Sequence, residues 1–310
     1  MRSRSAGRIR KNLWYLGSEE SGLYLLEGRA SSLLISGGMS YLAPVVERQV
    51  HEFGIDEARI DKLLILHAHF DHVGLVPFFK RRYPSLELYA SARAWEILHT
   101  AKAIETINSF SRLVAERMGV TENLGPDLHW RDDLSGTTVA EGTTIDLGGA
   151  TVRIIETPGH SSCSVSAYSP EIGALFPSDG GGIPYGQTII PSGNSNFTRY
   201  QRSLDKLSGL EVKIFCADHY GFVTGQEARR YIARSIDAAR QARTLIESLL
   251  RRTGSIDVTV SALVADSYAR NPRYLLPPEI SAGIYRQTVR HIAGALTEEP
   301  VTAEGSPSAE

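Results

Sequence analysis

The chain has 310 residues, 42% of them hydrophobic, with 33 basic against 35 acidic side chains and a formal net charge of -2. That is enough for one large domain or two modest ones around a sizeable core, and it lacks the basic footprint of a nucleic-acid partner. Two cysteines, Cys163 and Cys216, form no disulfide framework and read as small buried hydrophobes. The run of Arg2, Arg4, Arg8, Arg10 and Lys11 leads into no apolar segment of secretory type, and no stretch approaches a membrane span, so a cytoplasmic chain without a membrane partner is expected.

In chain order, apolar periodicity predicts strands over 13–16, 24–27 and 32–35, a helix over 42–53, and a buried strand over 63–66. A cluster of polar residues follows that strand: His67, His69, Asp71 and His72 within six positions. Neutral imidazoles and carboxylates are the ligands that divalent first-row metals accept. His67 and His69 share one side of an extended backbone. Asp71 and His72 fall where a helix begins and can serve a second point, so the spacing suits two ions. Pro77 sits in the first turns of that helix, where proline is tolerated.

Another strand is predicted over 86–89, followed by one or two inserted helices over 92–120. Strands then follow over 143–147, 152–155, 164–168, 174–176 and 212–215, with a helix over 198–207. Beyond Gly225 the pattern is helical, over 227–252, 257–268 and 278–296, with turns at Asn271-Pro272 and Pro277-Pro278. The tail over 297–310 reads as disordered.

His67-x-His69-x-Asp71-His72 matches the signature H-x-H-x-D-H, and the chain resembles the metallo-β-lactamase-fold hydrolases. Three later segments extend the resemblance. Thr157-Pro158-Gly159-His160 looks like the family's T-P-G-H. Phe176-Pro177-Ser178-Asp179 looks like its F-x-G-D, with Ser178 in place of glycine. Ala217-Asp218-His219 stands where P-G-H is usual. The first departure leaves the ligand in place, and the second bears on backbone geometry around His219. The resemblance implies an α/β, four-layer αββα sandwich with inserted helices and a helical C-terminal cap. It also implies a dinuclear site (zinc, or iron or manganese). His67, His69 and His160 would hold the first ion and Asp71, His72 and His219 the second, with Asp179 bridging. His51, His99, His129 and His291 match no motif and read as surface or core residues.

The loose segment Leu276-Pro277-Pro278-Glu279-Ile280 and the two helical regions are similar to the alkylquinolone-pathway thioesterases, a branch of that superfamily. The activity implied is hydrolysis of an acyl thioester, of acyl-CoA or acyl-carrier type, by a hydroxide bridging the two ions. Asp71 would both ligate and orient that nucleophile. A glyoxalase-II-like hydrolase of glutathione thioesters, a lactonase, and a regulatory protein that keeps the metal fold are the alternatives. The organisation expected is a catalytic core over 1–224, a cap over 225–296 forming a lid, and the tail. Leu263, Val264, Leu275, Leu276, Ile280 and Ile284 are expected to give the cap its apolar faces. The glycines of Gly180-Gly181-Gly182 are expected to let backbone approach a ligand. Tyr185, Tyr220 and Phe222 are candidates for binding a small acyl substrate, and a homodimer is an allowed assembly.

Overall fold

The computed structural model describes residues 2–270 and 277–298. Leu275, Leu276, the Asn271-Pro272 turn and the tail from residue 299 lie outside the described residues. Two seven-stranded sheets face each other, and the side-chain alternation of their strands explains why. In Leu13–Gly17 every residue is buried, because the strand is covered on both sides. Leu13 and Tyr15 point between the sheets, whereas Trp14 and Leu16 point at the helices outside. Leu64 and Leu66 share the inter-sheet core, and Leu63 and Ile65 the helical side. In the other sheet Ala174, Phe176, Ile214 and Cys216 face inward, while Leu175, Phe215 and Ala217 face outward onto Leu207, Ala228, Tyr231 and Ile232. The order of layers is therefore helix, sheet, sheet, helix. Tyr231 stacks on Phe215 with ring centroids 3.7 Å apart, pinning the helix Tyr231–Thr253 to the second sheet. Such a pair adds about 0.5–1.5 kcal/mol beyond its buried area.

The first sheet turns parallel in its second half: Ser32–Ile35, Ile60–Leu64, Glu87–Ser91 and Thr137–Val139 run in one direction. In the second sheet Ala174–Phe176 and Ile214–Cys216 are parallel neighbours. Loops leaving the carboxyl ends of such strands converge, which is where open α/β sheets place their ligands. The two sheets are stitched together at that edge, where Val165 N donates to Leu66 O at 2.9 Å and Gly22 N to Asp218 O at 2.7 Å.

The inserted region is a pair of helices, Ala92–Leu98 and Ala101–Met118. Thr100 separates them and caps the second, its hydroxyl accepting from Ala103 N. The C-terminal helices Tyr231–Thr253, Ile256–Arg270 and Pro278–Glu298 share a core with the helix Phe197–Leu207. Leu263 is buried in that cluster and Val264 packs against it, so these two side chains serve helix–helix packing and not an exposed apolar face. Among the described residues, no helix is long and apolar enough to cross a membrane.

Several short strands carry no signal in the apolar pattern. Arg2–Ser3 pairs with Phe222–Thr224, Gly7–Arg10 with Leu13–Gly17, and Ile183–Tyr185 with Thr188–Ile190 in a separate two-stranded ribbon. Some of these segments are edge strands whose pairing is set by neighbours.

Candidate metal centre

The strand ends deliver seven side chains to one place. His67 and His69 follow Ile60–Leu64, Asp71 and His72 lie in the short helix Phe70–Val73, and His160 follows Thr151–Glu156. Asp179 lies in the 3-10 turn Ser178–Gly181 after Ala174–Phe176, and His219 follows Ile214–Cys216. Gly74 makes the first of these approaches feasible: a β-carbon there would lie 2.3 Å from Ser40 N. The loop 36–38 therefore seats directly on the turn carrying His72, with Gly37 N donating to His72 O at 2.8 Å.

Two pockets result. In the first, His160 Nε2 lies 3.2 Å from His67 Nε2 and 3.0 Å from His69 Nδ1. His160 Nδ1 donates to Ser192 O at 2.8 Å, which leaves its Nε2 without a proton. In the second, His219 Nε2 lies 3.2 Å from His72 Nε2 and 3.4 Å from Asp71 Oδ2. His219 Nδ1 donates to Glu20 O and His72 Nδ1 donates to Asp218 Oδ2, at 2.5 and 2.8 Å. Asp179 stands between the pockets. Its Oδ2 is 3.5 Å from both His160 Nε2 and His72 Nε2, and its Oδ1 is 3.6 Å from His219 Nε2.

Three sets within this constellation have donor atoms close enough to share one cation: His67, His69 and His160; His67, His72 and Asp179; and Asp71, His72 and His219. The donor chemistry fits a divalent metal. Imidazole nitrogens face one another at hydrogen-bond distance, while the opposite nitrogens of His160, His219 and His72 are tied to two carbonyls and a carboxylate behind them. Only a cation or a shared proton relieves that opposition.

The electrostatics separate the pockets. Burial holds the pKa of His67 well below the usual imidazole range, helped by His72, His69 and His160. Burial and His160 push His69 down to about 3, and burial lowers His160. Across the site, burial disfavours charge on His72 and His219, but carboxylates override it. Asp71, Asp179 and Asp218 hold His72 well above its ordinary value, and Asp179 with Asp71 pushes His219 up to about 9. Burial would raise Asp71 and Asp179, yet His72 and His219 hold both below the usual carboxylate range.

A metallo-beta-lactamase superfamily model matches residues 23–219, from the third strand of the first sheet to the final histidine of the site. The chain belongs to the metallo-beta-lactamase superfamily. It is 24% identical over 209 residues to a metallo-beta-lactamase fold-containing protein of Sulfurisphaera tokodaii, covering 66% of this chain and 75% of that one. It is 31% identical over 166 residues to the hydroxyacylglutathione hydrolase of Methylococcus capsulatus, covering 49% and 59%. Against the atrochrysone carboxyl ACP thioesterase of Aspergillus fumigatus it is 24% identical over 244 residues, covering 75% and 62%. It thus spans about three-fifths of the length of the last two. A metallo-beta-lactamase family protein from Thermus thermophilus shares the fold across 97% of this chain and 98% of its own, with a TM-score of 0.66 at 18% identity.

Around this superfamily site the other candidates divide. Tyr220 packs edge-on against Tyr185 with centroids 5.0 Å apart, and burial with Tyr185, Glu20 and Glu19 pushes its pKa up to about 12. The phenol therefore keeps its proton at neutral pH. Phe222 packs on Tyr15 beside the inter-sheet core. Gly181 and Gly182 serve protein packing and not a ligand: β-carbons there would lie 2.4 Å from Pro177 and 2.8 Å from Ile189.

Sequence reasoning missed three groups beside the site. Phe110 of the inserted helix packs on Phe70, next to Asp71, with centroids 5.3 Å apart. Arg2 binds the carbonyls of Tyr220 at 3.1 Å and Gly186 at 2.8 Å, and that of Pro184, tying the ribbon to the loop after His219. Asp218 sits behind His72; a carboxylate beside a ligand motif was the available signal.

Proposed function

We propose that this chain is a dinuclear metal-dependent hydrolase of acyl thioesters, of acyl-CoA or acyl-carrier-protein type. One observation carries the dinuclear reading: Asp179 reaches both pockets, its Oδ2 lying 3.5 Å from His160 Nε2 of the first and from His72 Nε2 of the second, and its Oδ1 3.6 Å from His219 Nε2 of the second. In this reading His67, His69 and His160 hold one ion, Asp71, His72 and His219 the other, and Asp179 joins them. Bound divalent ions would supply an acidified water and polarise the acyl carbonyl. Asp71 Oδ2 lies at the second pocket, 3.5 Å from His72 Nε2, where it orients the attacking water and accepts its proton. The metals are zinc, iron or manganese, all of which these ligands accept.

The thioester assignment draws on the relatives and on the chemistry of the leaving group. Two of those relatives are named as a hydroxyacylglutathione hydrolase and an ACP thioesterase. The groups that converge on Asp179 are imidazoles and carboxylates, and a thiolate departs without the proton donor that an amine or alkoxide requires. Phe70 and Phe110 offer a partly exposed apolar wall beside Asp71 for the acyl part.

We read 1–224 as the catalytic unit and 225–296 as its cap. Support comes from Ser235 in the helix Tyr231–Thr253, whose hydroxyl donates to Gly181 O at 2.8 Å, two residues beyond Asp179. A cap resting on that loop excludes water from the bound acyl group. A glutathione thioester is the second reading, favoured by the match to hydroxyacylglutathione hydrolase.

A panel of acyl-CoA thioesters, glutathione thioesters, lactones, β-lactams and phosphodiesters tests the assignment. The highest kcat/KM is expected for an acyl-CoA or acyl-carrier thioester. A glutathione optimum selects the second reading, and preferential turnover of a phosphodiester or β-lactam overturns both.

A further inference from the structure

The two positions at which the chain departs from the superfamily pattern touch each other. Ser178 and Asp218 each stand where glycine is usual, and Ser178 Oγ donates to Asp218 Oδ2 at 2.5 Å. The same oxygen accepts from Ser36 Oγ at 2.9 Å and from His72 Nδ1 at 2.8 Å. An ionised carboxylate only accepts, so the single proton of Ser178 is committed to it. The Ser178 oxygen can then only accept, and His67 Nδ1 lies 3.2 Å away and His72 Nδ1 3.3 Å away. Hydrogen bonds therefore run from His67 through Ser178 to Asp218, and from His72 directly to Asp218. Each imidazole is held through its Nδ1, which turns its Nε2 toward the metal site, His67 to the first pocket and His72 to the second.

The backbone bears the cost of this arrangement. Among the described residues the only non-glycine positions with positive φ are Ser36 at +71°, Ser178 at +50° and Tyr220 at +59°. A β-carbon makes that region unfavourable, and glycine would enter it freely. At two of the three strained positions the side chain is a hydroxyl bonded to Asp218. Asp218 itself is 2% exposed, and its other oxygen, Oδ1, has no hydrogen-bond partner among the described residues. A buried carboxylate that gathers three donors on one oxygen is costly for stability alone.

We infer that Asp218 is a positioning residue serving both pockets, directly through His72 and by way of Ser178 through His67. The inference rests on the reading of these histidines as metal ligands. Its test is a titration of chelator-treated protein with cobalt(II), following visible absorption and competition with a chromophoric chelator. Wild type should take up two equivalents. Asp218→Asn should bind at least one of them about 10- to 100-fold more weakly, the usual consequence of losing a group behind a metal-binding histidine, with a changed visible spectrum. Ser178→Gly relieves the backbone and should fold, yet should perturb the spectrum in the same direction and less strongly. The double variant should be no worse than Asp218→Asn, because the two residues act in one chain of hydrogen bonds. Wild-type affinity and spectrum in both single variants would overturn the inference, and if Asp218→Asn does not fold, an unchanged spectrum in Ser178→Gly overturns it alone. A wild type that takes up no cobalt instead overturns the metal reading, a different and distinguishable result.

Discussion

The two pockets at the sheet edge share residue types and differ in readiness. His67, His69 and His160 are held neutral, because burial acts on three imidazoles with little carboxylate to oppose it. His72 and His219, with Asp71 and Asp179 against them, are held protonated in the metal-free chain. A metal ion and a proton compete for the same lone pair. The first pocket is therefore open to a cation at neutral pH, whereas the second exchanges protons for one. The difference teaches that a carboxylate added to a pocket gives the ion a better ligand and, by the same charge, gives the proton a better hold on the neighbouring imidazole.

The change that should most completely break this comparison is Asp179→Ala. It removes the one side chain the pockets share, so both should lose affinity, and thioester hydrolysis should fall to the uncatalysed background while the circular dichroism spectrum stays close to wild type. Near-normal turnover in that variant would mean the pockets are wrongly joined. Next in size, His69→Ala and His219→Ala should each leave about one ion per chain where wild type holds two, because each removes a ligand from one pocket only. Elemental analysis distinguishes this from loss of both ions in either variant.

The pH dependence sharpens the contrast further. With His219 at about 9, only ~1% of it is neutral at pH 7. His72 in the same pocket is held protonated too, so affinity at the second pocket should rise at least about tenfold per pH unit from 7 to 9. His69 is at about 3, so affinity at the first pocket should stay flat across the same range. Calorimetry in buffers of different ionisation enthalpy would show proton release with one equivalent and not the other, and equal release from both would refute the assignment. The smallest effect expected is that of Ser192→Ala. His160 Nδ1 lies 2.8 Å from both the carbonyl and the hydroxyl of Ser192. The carbonyl survives the substitution, so first-pocket affinity should change by no more than about threefold.

The sequence told most about the site where its residues stand close together or close a strand. His67, His69, Asp71 and His72 are adjacent in the chain, and His160, Asp179 and His219 each follow an apolar strand whose end can be read from periodicity. All seven meet in the fold. The orienting groups were opaque for a physical reason: Asp218 and Ser178 are 40 positions apart, and each taken alone is a minor departure from a glycine. Their meaning lies in a contact that exists only when the two parallel strands Ala174–Phe176 and Ile214–Cys216 lie side by side.

The same limit governed the fold. Strands with two covered faces, such as Leu13–Gly17, declared themselves by composition. Arg2–Ser3 could not, because it is a strand only through its pairing with Phe222–Thr224. The apolar residues of the C-terminal helices were visible, but not their partners. Leu263 could equally have faced a substrate, and it lies instead in the cluster that the C-terminal helices share with the helix Phe197–Leu207.

Elemental analysis of protein purified without chelators tests the central claim most directly, because every assignment above depends on two ions held between the sheets. The account predicts close to two transition-metal ions per chain. Protein that carries no transition metal and still hydrolyses a thioester, or that is fully active with a single ion, would contradict it.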